Sequence, residues 1–283
     1  MIDSIFAAKT MEAVAERSVA GLVLSVAIAG IAWRSGSLSR SGAFAAAACG
    51  TLCVAAGWGW GLVLILYFVA ASALSRAGSA AKDGRTRGVV AKGGARDAAQ
   101  VFANGGIYSA LAVFAANSGS PLLTWGAVAA LAAASSDTWS TEIGVGLGGT
   151  PRSIITWTYV RSGESGGITV SGLVGAAAGA AWVGLVAMLA GFPRGAAIVA
   201  LFAGIGGSLV DSVLGATVQE RRRCDVCNET TERVVHVCGS TTHRVGGIAG
   251  LDNDAVNLIS TVAGLLLGVI AFLLVHLWSA IGR

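Results

Sequence analysis

Apolar residues run continuously along this chain instead of alternating, and short polar clusters interrupt the runs. A helix crosses a bilayer with about 20 apolar residues, whereas a membrane β-strand shows about ten with period two. Eight stretches fit the helical pattern: 18–33, 42–56, 58–74, 98–116, 121–147, 168–191, 195–218 and 255–280. The second and third are separated only by the region of Trp58, Gly59 and Trp60, so a single kinked helix, and a count of seven, is the alternative. The expected fold is an all-α integral membrane bundle of about eight helices. It forms one polytopic domain over 1–283, with a cytoplasmic Cys/His-containing insert at 219–250.

Composition sharpens this picture. Hydrophobic residues are 54% of the chain and charged residues 12%, half of the roughly 25% that coats a soluble domain. The 41 glycines have no three-residue period and suit helices that pack through small residues. The net charge of +4 does not point to nucleic acid, because the basic residues sit between apolar spans. With eight crossings, Arg34, Arg40, Arg76, Lys82, Arg85, Arg87, Lys92, Arg96, Arg152, Arg161, Arg221, Arg222, Arg223, Arg233 and Arg244 share one side, leaving four of the 19 basic residues on the other. By the positive-inside rule the crowded side is cytoplasmic. Both termini are then expected outside, in a plasma-membrane protein whose chemistry lies on the cytoplasmic face.

Five polar clusters carry candidate chemistry. The first holds Lys82, Lys92, Arg96, Gln100 and Asn104; the last three recur at i, i+4 and i+8, one face of a helix. A Gly pair precedes them, and a backbone amide at a helix start can meet a phosphate; the bland alternative is a solvated basic loop on anionic lipid. The second cluster, 135–144, places Asp137 and Glu142 among hydroxyls at the end of an Ala-rich helix. A charge at mid-span costs about 2.5–3.5 kcal/mol on insertion scales, so such acids carry a function more often than not. Oxygen donors of this kind suit Mg²⁺ shared with phosphates. The third, 161–167, ends in Gly166 and Gly167 and reads as a phosphate-facing turn or a plain flexible loop. In the fourth, Asp211, Gly215 and Gln219 share a helical face. In the fifth, Asp252, Asn253, Asp254 and Asn257 open the last helix, where an N-cap accounts for one acid only. Asp137, Glu142, Asp211, Asp252 and Asp254 are therefore the candidate Mg²⁺ ligands. Cys224, Cys227 and Cys238 with His236, or alternatively His243, have spacing compatible with a structural Zn²⁺.

Together, Gln100-Val101-Phe102-Ala103-Asn104-Gly105, the 135–144 stretch, Asp211-Ser212-Val213-Leu214-Gly215-Ala216 and Asp252 to Asn257 resemble the domain-of-unknown-function-92 family of multispan membrane proteins, the family of the plant phytyl-phosphate kinase. The resemblance runs from Lys82 to Ser260 and rests on four motifs in order. It implies transfer of a phosphoryl group from a nucleoside triphosphate, CTP favoured, to a prenyl monophosphate. Carried over by motif, it implies site roles for Arg96, Gln100, Asn104, Asp137, Glu142, Asp211, Asp252, Asn253 and Asn257. Phosphoryl transfer asks for positioning and charge neutralisation more than covalent chemistry. On that basis Asp137 and Asp211 are expected to hold metal, and Lys92 and Arg96 to hold phosphates. The rival reading is a transporter or flippase for a phosphorylated lipid or anion, since intramembrane acids also mark transport paths.

Overall fold

The computed structural model describes residues 2–91 and 94–281. Among these residues, ten α-helices follow in order: α1 (Ile2–Arg34), α2 (Arg40–Ala56), α3 (Trp58–Arg76), α4 (Ser79–Thr86), α5 (Ala98–Val101), α6 (Ile107–Ser118), α7 (Pro121–Leu147), α8 (Val170–Leu189), α9 (Arg194–Thr217) and α10 (Asn253–Ile281). A π-helical segment, Phe102–Gly106, joins α5 to α6. Two small sheets complete the fold. β1 (Arg152–Ser153) pairs antiparallel with β2 (Gly167–Ile168). β3 (Arg221–Cys224) lies between β4 (Glu229–Thr231) and β5 (His243–Gly246), both antiparallel to it.

Among the described residues, six helical runs are long and apolar enough to cross a membrane: Glu12–Arg34, Trp58–Arg76, Ala98–Ser118, Val170–Leu189, Arg194–Thr217 and Asn253–Ile281. By that measure two of the eight expected spans fall away, each for its own reason. Arg40–Ala56 is apolar but has only 17 residues. Pro121–Leu147 is long enough, but its second half carries Asp137, Glu142 and several hydroxyls.

The burial of α7 explains why it needs no apolar coat. Every residue from Trp125 to Ser136 is buried, beneath α8, α9 and α10. Glycines on those three helices make the enclosure possible. A Cβ at Gly175 or Gly179 of α8 would lie 2.6 Å from the Trp139 or Ser135 carbonyl oxygen. One at Gly207 of α9 would meet the Ala133 Cβ at 2.5 Å, and one at Gly264 of α10 would meet the same atom at 2.6 Å. The small-residue content thus lets backbones close on α7, as membrane helices pack. By contrast, α1 leaves Val19, Leu22, Val23 and Ile31 exposed, the profile of a lipid-facing helix.

The connections segregate by end. Gly57, Gly119–Ser120 and 190–193 are short turns at one end, where Trp60 packs against Phe192 with ring centroids 4.6 Å apart. The long polar loops gather at the other. There Leu38 pairs with Arg96, Arg76 donates to the Ser35 carbonyl (2.9 Å), and Arg85 donates to the Val145 (2.5 Å) and Gly146 (2.7 Å) carbonyls at the C-terminus of α7.

Candidate functional site

Two adjoining cavities of opposite charge open at the polar end. The smaller, of about 270 Å³, contains Asp137 of α7, Asp211 of α9, Glu142, Glu164 and Glu232, with hydroxyls of Thr138, Ser140 and Ser212. Among the described residues, no Lys or Arg lines it. Five carboxylates facing one space repel one another unless a cation or protons intervene. Among the described residues, the buried Asp211 Oδ2 atom has no hydrogen-bond partner. An orphaned carboxylate oxygen in such a space fits a hard cation, and Mg²⁺ commonly takes only one or two carboxylates, completing its shell with water and phosphate oxygens. The expected ligand set of Asp137, Glu142, Asp211, Asp252 and Asp254 does not assemble: among the described residues, no three of these carboxylates converge as a ligand cluster.

The larger cavity, of about 890 Å³, is basic. Arg76, Lys82, Arg87, Arg96 and Arg233 line it against Asp83 and Glu142. Arg96 is held by Ser72 (3.1 Å) and Ser75 (2.9 Å) of α3. Thr86, Val90, Thr141, Glu142 and Val145 line both cavities and form the wall between them. Glu142 is fixed in that wall: Oε2 receives Lys82 Nζ at 2.5 Å and Oε1 receives the Ser75 hydroxyl at 2.5 Å. Lys82 also donates to the Leu74 (2.6 Å) and Ser75 (3.0 Å) carbonyls, a cation at the C-terminal carbonyls of α3. Both Glu142 oxygens are therefore partnered, and the metal reading rests on Asp137 and Asp211.

Other predicted residues are placed less simply. Lys92 lies outside the described residues. Arg96, Gln100 and Asn104 do not share a helical face. Arg96 precedes α5, Gln100 closes a capping box with Asp97, and the π segment turns Asn104 away. Arg96 and Gln100 line the basic cavity, whereas Asn104 lines a separate apolar groove with Ile28, Leu64 and Phe68. Gly166 and Gly167 line the acidic cavity but do not offer a pair of free amides. Gly167 N donates to the Glu164 carbonyl (3.1 Å), and Gly166, at φ +81°, lies so close to α9 that a Cβ would meet Ala216 N at 2.6 Å. Gln219 leaves the Asp211 face because α9 ends at Thr217; its amide donates to Glu232 Oε1 at 2.8 Å. Asn253 lines the acidic cavity. Asp252 caps α10 by accepting from Ala255 N (3.0 Å), Asp254 is buried in the first turn, and Asp252, Asp254 and Asn257 are not in the lining of the acidic or the basic cavity.

Cys224, Cys227, His236 and Cys238 come together, with one ligand atom from each lying within 4.8 Å of the others. His243 instead faces Asp225 at 3.2 Å. Hydrogen bonds from Ser240 and His236 pull the Cys238 thiol down to about 6, while Cys227, bonded by Cys238, is pushed up to about 11.

Sequence reasoning missed Glu232 as a site residue, and Arg76, Arg87 and Arg233 of the basic cavity entered it only as topology signals. Glu232 comes from the insert yet reaches the acidic cavity, where it accepts from Ser165, from Gln219 and from Ala91 N (3.3 Å). Burial lifts its carboxyl above the usual range, against the lowering effect of these bonds. Nothing in its neighbours Thr231 and Arg233 marks it.

A buried central helix, lipid-facing outer helices and charged cavities confined to one end define a polytopic integral membrane protein. The chain belongs to the family described as integral membrane protein DUF92, which matches residues 23–265. It is 33% identical to Protein PGR of Arabidopsis thaliana over 270 residues, 86% of this chain and 92% of that protein. It is 31% identical to an uncharacterized membrane protein of Methanocaldococcus jannaschii over 183 residues, 62% of this chain and 63% of the relative. No solved structure matches.

Proposed function

We propose that this protein is a membrane phosphotransferase that moves the terminal phosphoryl group of a nucleoside triphosphate to a prenyl monophosphate such as phytyl phosphate. The observation that carries this reading is the shared wall: a basic cavity suited to phosphates adjoins an acidic cavity suited to the metal that phosphoryl transfer needs. The preference for CTP rests on the family resemblance alone. The acceptor's amphiphilic character has its own support. Gln100 lines the basic cavity, and Asn104, one turn further along the same helical run, lines the apolar groove. A phosphate headgroup and an isoprenoid tail would lie along that line.

In the reaction, an acceptor phosphate oxygen bonds to the γ-phosphorus, and the bond from that phosphorus to the β–γ bridging oxygen breaks. The electron pair leaves with the nucleoside diphosphate, and a prenyl diphosphate forms. The acceptor is already anionic, so no general base is required. Arg76, Arg87 and Arg96 would neutralise and orient phosphates, and Asp137 and Asp211 would hold Mg²⁺. A Mg²⁺ ion held by these two carboxylates would supply positive charge for the transferring group. Lys82, tied to Glu142, keeps the wall between the cavities rigid.

A transporter would need a polar path to the far end. The wholly buried, apolar Ala127–Ala134 stretch and the Trp60–Tyr108–Phe192 cluster there favour an enzyme instead. Purified protein in detergent, given γ-labelled CTP or ATP, Mg²⁺ and a panel of prenyl phosphates, should yield labelled prenyl diphosphate; label that stays on nucleotide with every acceptor contradicts the proposal. We also place the cavities on the cytoplasmic side of the plasma membrane, with both termini outside. A Ser162→Cys variant in sealed cells should resist membrane-impermeant thiol reagents, and outside labelling would reverse the orientation.

A further inference from the structure

We propose that Cys224, Cys227, His236 and Cys238 bind one Zn²⁺, and that this zinc knot positions Glu232 in the wall of the acidic cavity. The insert would then be a working part of the membrane site. Zinc binding here would shape the cavity whatever reaction the cavity performs.

The donor set comes first. Three thiols and one imidazole are the ligands of a closed tetrahedral zinc site, in which sulfurs about 2.3 Å from the metal stand about 3.8 Å from one another. The Cys224 and Cys238 sulfurs are 3.6 Å apart, and His236 Nδ1 lies 3.4 Å from Cys238 Sγ. The other ring nitrogen of His236 faces Glu229 Oε2 at 3.7 Å. A carboxylate behind a ligating histidine is the usual device that fixes its ring and tautomer. His236 is buried, which an unligated histidine in a surface hairpin has no reason to be.

The hairpin also lacks another source of order. Val226, Val234, Val235, Val237 and Val245 all point outward, so β3, β4 and β5 enclose no apolar core. Small units without a core are commonly held by a metal, whose binding free energy becomes folding free energy.

The consequence for the cavity follows from connectivity. Glu229 opens β4, and the strand runs to Thr231, next to Glu232. Glu229 also pairs with Arg161 at 3.4 Å, on the loop that carries Ser165. Glu232 N donates to the Val89 carbonyl (2.9 Å), Ala91 N donates back to Glu232 Oε2, and Ser165 and Gln219 meet Oε1. One carboxylate thereby joins the loop after α4, the Gly-rich loop and the end of α9, three segments at the cavity. Gly88 seats the first of these against the knot: at φ +85°, its added Cβ would sit 3.0 Å from His236 Nε2.

The test uses the full chain in detergent. Elemental analysis should find about one zinc per chain. Cys227→Ser should weaken zinc retention about tenfold or more, while Cys49→Ser and Cys53→Ser keep it. Because Cys227→Ser could unfold the hairpin, the unmutated chain exchanged with Co²⁺ provides a second reading: intense tetrahedral d–d bands with thiolate charge transfer are expected. Hydrogen exchange on the zinc-loaded and chelated protein then tests the coupling. Chelation should deprotect the amides of Ala91 and Glu232 along with 224–240, and leave α7 protected. Absence of zinc with free thiols or a Cys224–Cys238 disulfide, or an octahedral cobalt spectrum, would overturn the site. Zinc whose removal leaves Ala91 and Glu232 unchanged would overturn the positioning role.

Discussion

The two cavities share a wall but are built in different ways. The acidic one is anchored on two closely packed bundle helices, with Asp137 just past the buried part of α7 and Asp211 on α9, which glycines press against it, and loop residues such as Glu164 and Glu232 complete it. The basic one is assembled from helix ends and loops, with Arg76 at the end of α3, Arg87 after α4 and Arg96 before α5. Groups that must meet developing charge to within a fraction of an ångström belong on rigid elements, whereas phosphate-steering cations tolerate movement. The acidic side should therefore govern turnover and the basic side affinity.

The wall between them offers the largest test in stability. Lys82→Met would leave Glu142 half-enclosed without its cation, and unpairing a buried ion pair costs about 3–5 kcal/mol. The figure belongs at the low end because Glu142 is 21% exposed. Thermal unfolding should show the loss, and adding Glu142→Gln should restore most of it. If Lys82→Met melts like the parent, the wall is not a rigid partition and the comparison breaks.

A smaller effect is expected on the basic side. Arg96→Gln should raise KM for the phosphorylated substrates about tenfold, near 1.4 kcal/mol, with kcat changed little. Steady-state kinetics that instead show an equal fall in kcat and kcat/KM would move Arg96 into the transition state and blur the division.

The smallest effect concerns pH. The folded chain holds the Glu232 proton at a pH where the unfolded chain has released it. Raising pH from the ordinary carboxylate range through the raised value therefore favours unfolding, and this contribution is lost from the top of that window. Glu232→Gln should flatten that part of the stability–pH curve. An unchanged slope would mean that Glu232 is solvated in the folded protein.

Much of this architecture is legible in the chain itself. The apolar runs locate the helices because lipid and core ask for the same side chains over about 20 residues. Asp137 and Asp211 stand out because a charge in an apolar helix is costly, and both face the acidic cavity. The cysteine spacing foretells a cluster because C-x2-C closes one tight turn. What stays hidden depends on tertiary contact. The Lys82–Glu142 pair joins residues 60 positions apart. The π segment at 102–106 breaks the i, i+4, i+8 face that Arg96, Gln100 and Asn104 promise, and local sequence does not announce a one-residue insertion in a helix. α7 is recognisable as a poor lipid-facing span from its own Asp137, Glu142 and hydroxyls, but its full enclosure depends on glycines of its neighbours, far away in the chain. Glu232 reads as an ordinary loop acid until the hairpin folds it onto Val89, 143 residues back along the chain.

Asp211→Asn provides the most direct test of the account, with label transfer and melting temperature measured on one sample. Asp211 lies inside α9, six residues before its last, and among the described residues its buried Oδ2 has no hydrogen-bond partner. If it holds Mg²⁺ against the transferring phosphates, turnover should fall about 10²–10³-fold, the usual loss on removing one transition-state electrostatic element. The melting temperature should stay level or rise slightly, because an unpaired carboxylate in a helical bundle is costly. Full transfer activity in the variant, or lost stability with specific activity retained, would contradict the account.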